Sequence, residues 1–583
     1  MAPHHGKPTD MLTKLTLRNF KLFPEAEIEL GPVTVLCGPN NSGKTTALQA
    51  IALWHAGLRA WQAGRGATSR ARQRVGVQIN RRDLVAIPVP ATNLLWNRLH
   101  TRDSRRNGTR SETQNVRIDI VLGGTGPDGA WECGLEFDYP DQEAVYCRPL
   151  RLSDQRDPGR MDIPAAALAT RIALLPAMSG LASSEPKWEP GRIDVLISEG
   201  QTAQVLRNLC FRLHEEQPDR WRDFVGHVRS LFGVMLHPPL NVAARGEITM
   251  GYRQDSIDLD LSAAGRGQQQ IMLLLAYVLA NPGATLLLDE PDAHLEILRQ
   301  RQTYSLLAEI ARGSGSQIIA ASHSEVVLTE AAGKDTLVAF VGRPHRIDDR
   351  GVELRKWLAE YPIDHLYQAE QQGWVLYLEG STDLAVLQAF AARLGHAASK
   401  ALERPFVVYV ANDPTKAQRH FAALREAKPD IRGIALFDRL DRVPGAVVPE
   451  MMMWSRREIE NYFARQDVLE AWARADGPAG AEADLFAASR VTAMRDAIEA
   501  IVHLLRELDD TDAWSADVKA SDQLLDRVFR RYFAGIGQGM RFRKADYHGL
   551  VGFMPPGDID PEVTEKLDRI ATVAGAAANV SGA

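Results

Sequence analysis

Residues 32–50 read PVTVLCGPNNSGKTTALQA, and this stretch decides the fold of the N-terminal half. A short apolar run at 33–37 predicts a buried strand, the glycine-rich turn fits GxxxxGK[ST], and the residues after it follow a helical pattern. Glycines in such a turn let backbone N–H groups converge on phosphate, and the N-terminus of the following helix adds positive partial charge. A chance glycine turn is the alternative interpretation. The nucleotide-binding candidates are Gly38, Asn40, Asn41, Ser42, Gly43, Lys44, Thr45 and Thr46.

A second segment, LLLDEP at 286–291, predicts a buried strand that ends in two acids. Adjacent carboxylates at a strand end are costly unless they face a cation or solvent. We expect Lys44 to reach the β- and γ-phosphates of ATP, and Thr45 and Asp289 to bind its Mg²⁺. Glu290 is then placed to polarise a water molecule. His323, after the strand SQIIAAS, is a candidate contact of the γ-phosphate, although a histidine there can also be an ordinary loop residue.

Composition limits the remaining possibilities. The 583 residues carry a formal net charge of −6, so any nucleic-acid contact must come from local basic patches. The four cysteines show no CxxC spacing, which predicts neither a disulfide framework nor a zinc site. The longest apolar run, at 271–280, is about half the ~20 residues that span a bilayer. No signal peptide is recognisable, so a soluble, cytoplasmic protein without membrane partners is expected.

Four segments in order resemble the ABC-type ATPases, particularly their SMC-like branch: NNSGKTT, LSAAGRGQQQ at 261–270, LLLDEPDAHLE and ASHS. The resemblance implies an ATP-closed homodimer in which Ser262 and Gly265 of one subunit cover the ATP of the other. It also implies that Asp292 contacts the partner. The signature departs from LSGGQ, which leaves Ala264 and Gly267 without a clear role. Gln78 is a weak candidate for the Q-loop glutamine.

The α/β pattern restarts at residue 374 with the predicted strands WVLYLEG, FVVYV and IRGIALFD. Glu379 and Asp438 end two of these strands, and Asp383 opens a helix. Acids at the ends of parallel strands converge on one crevice. Two carboxylates ~4 Å apart repel by about 4 kcal/mol at an effective dielectric of 20, which a divalent cation would reverse. The alternative is a set of ordinary strand-end and helix-capping acids.

Residues 374–462 resemble the Toprim domain of topoisomerases, primases and OLD (overcoming lysogenization defect) nucleases. The resemblance implies Mg²⁺-dependent, or Mn²⁺-dependent, phosphodiester cleavage with Glu379 and Asp438 as catalytic residues and Asp383 as a further metal ligand. The second acid of the usual DxD is displaced here to Asp441. Serine and glutamate groups near WSRREIENYF are implied as second-metal ligands, and a late lysine as catalytic. The corresponding residues are Ser455, Glu458, Glu460 and Lys544.

Two of these regions allow a simpler interpretation. Ser455 and Glu458 also fit a capping box at a helix start. The segment 527–548 interleaves Arg and Lys with Phe and Tyr, which suits either a backbone grip with base stacking or a solvated basic helix. Residues 65–115 are arginine-rich and without periodicity, so we expect exposed loops there.

The predicted fold is α/β: an ABC-type P-loop ATPase domain followed by a Toprim-like parallel α/β domain with a helical extension. The predicted boundaries are 1–345, with a largely helical insertion around 164–232, then 372–465 and 466–583. The favoured function is ATP-controlled cleavage of nucleic acid, DNA more than RNA, by a homodimer or higher oligomer. Relatives of this kind imply a role in defence against phage or mobile DNA, with a separate partner protein. The alternative is an ATP-driven DNA-binding scaffold or sensor that controls an effector and does not cut.

Overall fold

The computed structural model describes residues 11–65, 76–84, 86–107, 110–153, 159–177, 181–182, 184–341, 343–347, 361–440, 448–475 and 482–581. The chain divides into two compact units, Met1–Glu360 and Tyr361–Ala583. Among the described residues, no helix combines the length and the hydropathy needed to cross a bilayer.

The first unit contains nineteen strands among its described residues. They are β1 (Met11–Phe20), β2 (Phe23–Glu29), β3 (Val33–Cys37), β4 (Val77–Asn80), β5 (Arg102–Asn107), β6 (Arg110–Asn115), β7 (Ile118–Gly126), β8 (Gly129–Asp141), β9 (Ala144–Pro149), β10 (Ile172–Leu175), β11 (Met235–Leu236), β12 (Leu240–Val242), β13 (Glu247–Thr249), β14 (Gly251–Gln254), β15 (Ile257–Asp260), β16 (Thr285–Asp289), β17 (Gln317–Ser322), β18 (Thr336–Ala339) and β19 (His345–Arg346). Its α-helices are α1 (Lys44–Arg65), α2 (Ala165–Ala169), α3 (Pro190–Ser198), α4 (Leu206–Glu216), α5 (Pro218–Phe232), α6 (Arg266–Ala280), α7 (Ile297–Ser314) and α8 (Glu325–Ala331).

Two six-stranded sheets form the frame of this unit. The central sheet has the order β10-β16-β17-β3-β18-β19, with parallel pairing throughout except for β19. Its strands are apolar runs such as VTVLC and TLLLD, as expected where helices cover both faces. The other sheet is antiparallel, in the order β2-β1-β7-β8-β9-β4.

Helix α1 joins the two sheets through one hydrophobic core. Its residues Leu48, Ile51 and Trp54 are buried in a cluster that includes Phe137 of β8 and Ile319 of β17. The Trp54 Nε1 donates a hydrogen bond to the carbonyl oxygen of Cys133 over 2.9 Å. The helix that starts at the glycine-rich turn is therefore fixed along much of its length.

Two segments differ from the sequence expectations. The range predicted as a helical insertion contains α3, α4 and α5, but it also contains β10, which pairs in parallel with β16 in the central sheet. The prediction of exposed loops over 65–115 is wrong for its described part, because β4, β5 and β6 lie there and Trp96 is buried. Residues 66–75, within that prediction, lie outside the described residues.

The second unit is built on a four-stranded parallel sheet. Its strands are β20 (Trp374–Leu378), β21 (Val407–Tyr409), β22 (Arg432–Phe437) and β23 (Glu450–Met453), in the order β21-β20-β22-β23. Its α-helices are α9 (Ile363–Gln372), α10 (Ser381–Leu394), α11 (Ala398–Leu402), α12 (Pro414–Ala427), α13 (Gln466–Ala475), α14 (Glu482–Asp509), α15 (Asp526–Gly535) and α16 (Pro561–Ser581). A π-helical turn, Ala520–Leu525, precedes α15.

One hydrophobic core spans the whole second unit. Leu376 of β20 and Leu436 of β22 belong to the same buried cluster as Phe529 of α15 and Leu567 of α16. The helical region after residue 465 therefore does not form a separate core. It packs with the sheet that carries the acidic residues.

Candidate nucleotide and metal sites

The glycine-rich turn connects β3 to the first residue of α1, Lys44. Gly43 has φ +102°, and a Cβ there would lie 2.4 Å from the ring of Phe23, so only glycine fits. The Lys44 Nζ donates hydrogen bonds to the carbonyl oxygens of Gly38 and Pro39, over 2.7 and 2.8 Å. Burial lowers the pKa of Lys44, and the nearby Glu290 charge opposes that shift. The lysine ammonium group is therefore held inside the loop by two of the loop's carbonyl oxygens.

The second acidic element lies against the same helix start. Thr45 Oγ1 donates to both carboxylate oxygens of Asp289, over 2.9 and 3.1 Å. Burial raises the pKa of Asp289, and the bond from Thr45 lowers it. Glu290 follows in the left-handed region at φ +49°, and its Oε1 lies 3.9 Å from Nδ1 of His323. The structure therefore brings together Lys44, Thr45, Asp289, Glu290 and His323.

The residues around this turn fit a magnesium nucleotide. A hydroxyl and a carboxylate, from Thr45 and Asp289, are oxygen ligands of the kind that Mg²⁺ prefers. Ser42 Oγ is buried and has no hydrogen-bond partner among the described residues. A buried hydroxyl without a partner is costly, and an incoming phosphate oxygen would satisfy it. Asn40 and Asn41 are exposed at the rim of the loop.

The signature segment precedes α6, and a chain of hydrogen bonds holds its shape. Asp260 accepts from the backbone N–H of Ser262 over 2.8 Å and from its hydroxyl over 2.6 Å. Arg207 of α4, only 1% exposed, donates from Nη2 to Asp260 over 3.0 Å. Glu185 is fully buried and accepts from the backbone N–H groups of Arg207 and Asn208. Sequence reasoning missed this buried chain, because its members lie up to about 75 residues apart.

The other residues of the signature divide between surface and interior. Ser262 and Gly265 are exposed, whereas Ala264 is buried and its carbonyl oxygen accepts from Gln269 over 2.8 Å. Asp292 is buried, which raises its pKa. Gln78 lies on β4 at the edge of the antiparallel sheet, where its side chain donates to Asn80. No described contact joins Gln78 to the phosphate loop.

In the second unit, three acids gather at the carboxyl ends of two neighbouring strands. Glu379 follows β20, Asp438 follows β22, and Asp383 lies in the first turn of α10. Burial, the Glu379 charge and a hydrogen bond that the protonated Asp438 carboxyl donates to Glu379 together raise the pKa of Asp438 to about 9. Burial also raises the pKa of Asp383, which accepts from the N–H of Gly380 over 3.1 Å. The carboxyl groups of Glu379 and Asp438 therefore lie in contact at the ends of adjacent parallel strands.

A second acidic position lies close to this pair. Glu460 is 3% exposed, and burial followed by the charge of Glu458 raises its pKa to about 8. Lys544 Nζ lies 4.0 Å from Glu460 Oε1 and donates to Ser521 Oγ over 3.2 Å. The electrostatic influence of Asp383 reaches both Asp438 and Glu460, so these groups face a common region.

Two of the predicted second-metal ligands have other partners. Ser455 donates its hydroxyl to Glu562 of α16, which Tyr462 also contacts. Glu458 accepts from the backbone N–H of Ser521 and, over 3.1 Å, from its hydroxyl. The carboxylates of Glu562 and Glu458 therefore each connect two segments that are distant in the sequence. Glu460 is the acid of this segment that is left as a candidate metal ligand.

Sequence reasoning also missed three residues beside the acidic cluster. Asn412 accepts the backbone N–H of Asp438 over 3.0 Å and so orients the strand end. Lys519 precedes the π-helical turn, and its pKa is raised mainly by a hydrogen bond to Asp522, with the Glu458 and Glu379 charges contributing. Glu562 anchors Ser455. Asp441 lies outside the described residues.

The donor chemistry fits a divalent cation, but the ligands are not yet assembled. Carboxylate oxygens are the ligands expected for Mg²⁺ or Mn²⁺, and metal binding requires those carboxyl groups to lose their protons. Among the described residues, however, no three acidic, histidine or cysteine side chains converge closely enough to hold one metal ion. The contacting pair Glu379 and Asp438 is thus the core of a site that side-chain rotation or bridging water would complete.

The base-stacking interpretation of 527–548 is wrong. Phe529, Tyr532, Phe533 and Tyr547 are at most 1% exposed. The first three contact Trp472 in the core, and Tyr547 stacks on Phe529. Their apolar faces cannot stack on bases. The basic side chains of the segment are not buried in the same way as its aromatic rings. Arg531 is exposed, and the Lys544 ammonium group lies 4.0 Å from Glu460.

Comparisons with known proteins agree with this description of the first unit. Residues 11–56 match a family model described as "AAA ATPase domain", and residues 208–329 match one described as "AAA domain, putative AbiEii toxin, Type IV TA system". A protein of Thermus scotoductus called "OLD nuclease" is 46% identical over 43 residues. That match spans 7% of this chain and 8% of the relative.

Solved structures similar to the chain include two SMC head domains and a recombination mediator protein. The SMC head domain from Thermotoga maritima is 19% identical, with coverage of 58% of this chain and 99% of that one and a TM-score of 0.31. The Smc head with an extended coiled coil from Pyrococcus furiosus is 14% identical, covering 60% and 99%, with a TM-score of 0.35. The recombination mediator protein RecF is 12% identical, covering 59% and 100%, with a TM-score of 0.32. Two segments of the chain match family models of AAA ATPase domains, and the chain resembles ABC/SMC-like ATPases and, over a short segment, an OLD nuclease.

Proposed function

We propose that this protein hydrolyses ATP in its first unit and cleaves phosphodiester bonds of nucleic acid in its second unit, with Mg²⁺ or Mn²⁺. The observation that supports the nuclease proposal is the contact between the buried carboxyl group of Asp438 and that of Glu379 at the ends of adjacent parallel strands. Burying two carboxyl groups side by side destabilises the fold unless a bound cation or substrate compensates for their repulsion.

In the first unit, ATP binding would release Lys44 from the carbonyls of its own loop to pair with the phosphates. Thr45 and Asp289 would hold the Mg²⁺, which neutralises charge on the phosphates. Glu290 would orient the attacking water, with His323 beside it and the γ-phosphate. Glu290 has a left-handed backbone conformation, and its carboxylate lies 3.9 Å from His323.

Two substitutions test this assignment. Lys44→Ala should abolish ATP binding, whereas Glu290→Gln should bind ATP and hydrolyse it 10²- to 10⁴-fold more slowly, as loss of a general base predicts. Glu296→Gln is the control. Gln300→Ala would not serve as one, because Gln300 contacts Ser324. Wild-type hydrolysis by Glu290→Gln would remove Glu290 from the mechanism.

We also propose that ATP closes a homodimer, with higher assemblies possible. The exposure of Ser262 and Gly265, which the SMC-like resemblance places over a partner's ATP, supports this. Light scattering of Glu290→Gln with saturating ATP should show twice the monomer mass. A monomer under those conditions would contradict the proposal.

In the second unit, Glu379, Asp383 and Asp438 would hold a catalytic cation. Such a cation stabilises negative charge on the phosphodiester and provides hydroxide at neutral pH. Glu460 is the candidate for a second cation, and Lys544 beside it would stabilise charge on the phosphate. The bonds of Ser455 and Glu458 to other segments narrow the second-cation proposal to Glu460.

The nuclease test is cleavage of supercoiled plasmid and of structured RNA with Mg²⁺ or Mn²⁺. Glu379→Ala and Asp438→Ala should each eliminate cleavage and leave ATP hydrolysis intact. Glu403→Ala, an exposed acid of the same unit, is the matched control. Cleavage that survives Glu379→Ala would remove this unit as the nuclease. If the wild type cuts neither substrate with either metal, the protein is better described as an ATP-driven scaffold or sensor.

The remaining proposals rest on resemblance. The name of the Thermus scotoductus relative and the Toprim resemblance support nucleic acid as the substrate, with DNA ahead of RNA. A role in defence against phage or mobile DNA, with a separate partner protein, is proposed on the same ground. The proposed domain division is 1–345, 372–465 and 466–583, although the last two segments share one core.

A further inference from the structure

A solvent-open cavity of about 290 Å³ lies in the first unit, among residues that the proposed chemistry does not use. Four helices and the edge strand β10 surround it. Arg59 comes from α1, Arg171 precedes β10, Asp194 lies on α3, Arg212 on α4 and Tyr277 on α6.

The cavity carries an excess of positive charge. Its lining holds three guanidinium groups, from Arg59, Arg171 and Arg212, against the single carboxylate of Asp194. The Arg212 Nε is buried and has no hydrogen-bond partner among the described residues, and the nearest carboxylate oxygen, of Glu216, is 3.8 Å away. Arginine presents its donors in a planar fork that matches phosphate oxygens. The cavity lining therefore lacks a hydrogen-bond acceptor for the Arg212 Nε–H group.

The wall next to Arg59 is apolar and uncharged. His55 accepts from Arg59 Nε over 3.3 Å, and burial lowers the pKa of His55 to about 4, so the imidazole is neutral at physiological pH. A second cavity of about 210 Å³ shares His55, Ile172, Leu174 and Ser198 with the first. It is lined by Leu84 and Ile87 and bordered by Asp83. Together the two cavities reach the size range of small-molecule sites, which is about 300 to 1,000 Å³.

We propose that these two adjacent cavities, which share four lining residues, bind a small molecule that carries a phosphate group beside a flat ring, as a mononucleotide does. The phosphate would occupy the arginine-lined cavity and pair with Arg59 and Arg212. The ring would pack against Leu84 and Ile87, where Asp83 accepts from a ring amino group.

This site is separate from the ATP site. Arg59 lies fifteen residues after Lys44 on α1, which places the two about 22 Å apart along the helix. Lys44 serves phosphate at the N-terminus of α1, whereas Arg59 and His55 project from its second half. The ligand would therefore bind independently of the phosphate loop, and Lys44→Ala leaves the proposed site unchanged.

The test is calorimetric titration of the full-length Lys44→Ala protein with adenosine monophosphate, inorganic phosphate and adenosine. Adenosine monophosphate should bind more tightly than inorganic phosphate, and adenosine should bind least. Adding Arg59→Gln or Arg212→Gln should each weaken binding of adenosine monophosphate by roughly tenfold or more, since a hydrogen bond to a charged group is lost. Arg222→Gln, whose side chain is 76% exposed on α5 outside the cavity, is the matched control and should change nothing.

Three results would overturn the proposal. They are the absence of binding at millimolar adenosine monophosphate, binding that Arg59→Gln and Arg212→Gln do not weaken, and equal loss with Arg222→Gln. Equal affinity for inorganic phosphate and adenosine monophosphate would refute the ring position. Circular dichroism of each variant separates a lost ligand contact from a lost fold.

Discussion

Asp438→Asn should stabilise the metal-free protein while it abolishes cleavage. The folded protein holds Asp438 protonated up to a pKa of about 9, whereas an exposed aspartate ionises near 3.8. Above pH 3.8 the unfolded state gives up this proton and the folded state keeps it, so wild-type stability falls as pH rises towards 9. Each pH unit in that window lowers the unfolding free energy by about 1 kcal/mol, so the loss between pH 6 and pH 8 is on the order of 2 to 3 kcal/mol. Asparagine keeps the hydrogen bond to Glu379 and does not titrate.

The assay is urea unfolding in EDTA at pH 6 and pH 8, for the wild type, Asp438→Asn and the control Asp430→Asn, whose side chain is 48% exposed. The gain of Asp438→Asn over wild type should grow from pH 6 to pH 8, and Asp430→Asn should show no such growth. Added Mg²⁺ should stabilise the wild type more than the variant and so reduce the gain. A gain that is absent, or equal at both pH values, would refute the raised pKa of Asp438 and weaken the argument for a cation site.

Three further predictions concern other parts of the chain. Arg207→Met should leave the carboxylate of Asp260 without its arginine partner and weaken ATP-dependent dimerisation more than ATP binding. Light scattering measures the dimerisation and nucleotide titration the binding. Arg207→Lys should restore part of the dimerisation. Glu185→Ala should lower the unfolding free energy by roughly 3 kcal/mol, because two buried backbone N–H groups and Arg207 lose their acceptor; equal urea midpoints would contradict this. Phe529→Ala should cost about 3 to 5 kcal/mol, the range for a buried phenylalanine, with nucleic-acid affinity of the folded fraction unchanged in a filter-binding assay.

The parts of the sites that could be predicted are those whose residues are close in sequence or follow buried strands. The phosphate loop is one continuous segment, and LLLDEP carries its strand and its acids together, so hydrophobic pattern and motif suffice. Glu379 and Asp438 are 59 residues apart, but both follow apolar strands, and parallel pairing brings strand ends to one edge.

The parts that could not be predicted depend on distant partners. Ser455 and Glu458 are bound to Glu562 and Ser521, which are 107 and 63 residues away, and nothing local distinguishes such anchors from metal ligands. β10 is a strand of four residues, too short to show a period, and pairing with β16 rather than propensity defines it. The aromatic residues of α15 could have been interpreted better, because Phe529 and Phe533 are spaced as one face of a helix.

The shared core of the second unit limits how this protein could have acquired or could lose its acidic site. A chain cut after residue 465 would expose the sheet side chains that now pack against α15 and α16, such as Leu436. Such a fragment would be prone to aggregation, because exposed apolar sheet surface favours association between chains. Transfer of this nuclease candidate to another ATPase therefore requires residues 361–581 to be transferred together as one folding unit. Recombination within that unit should be selected against.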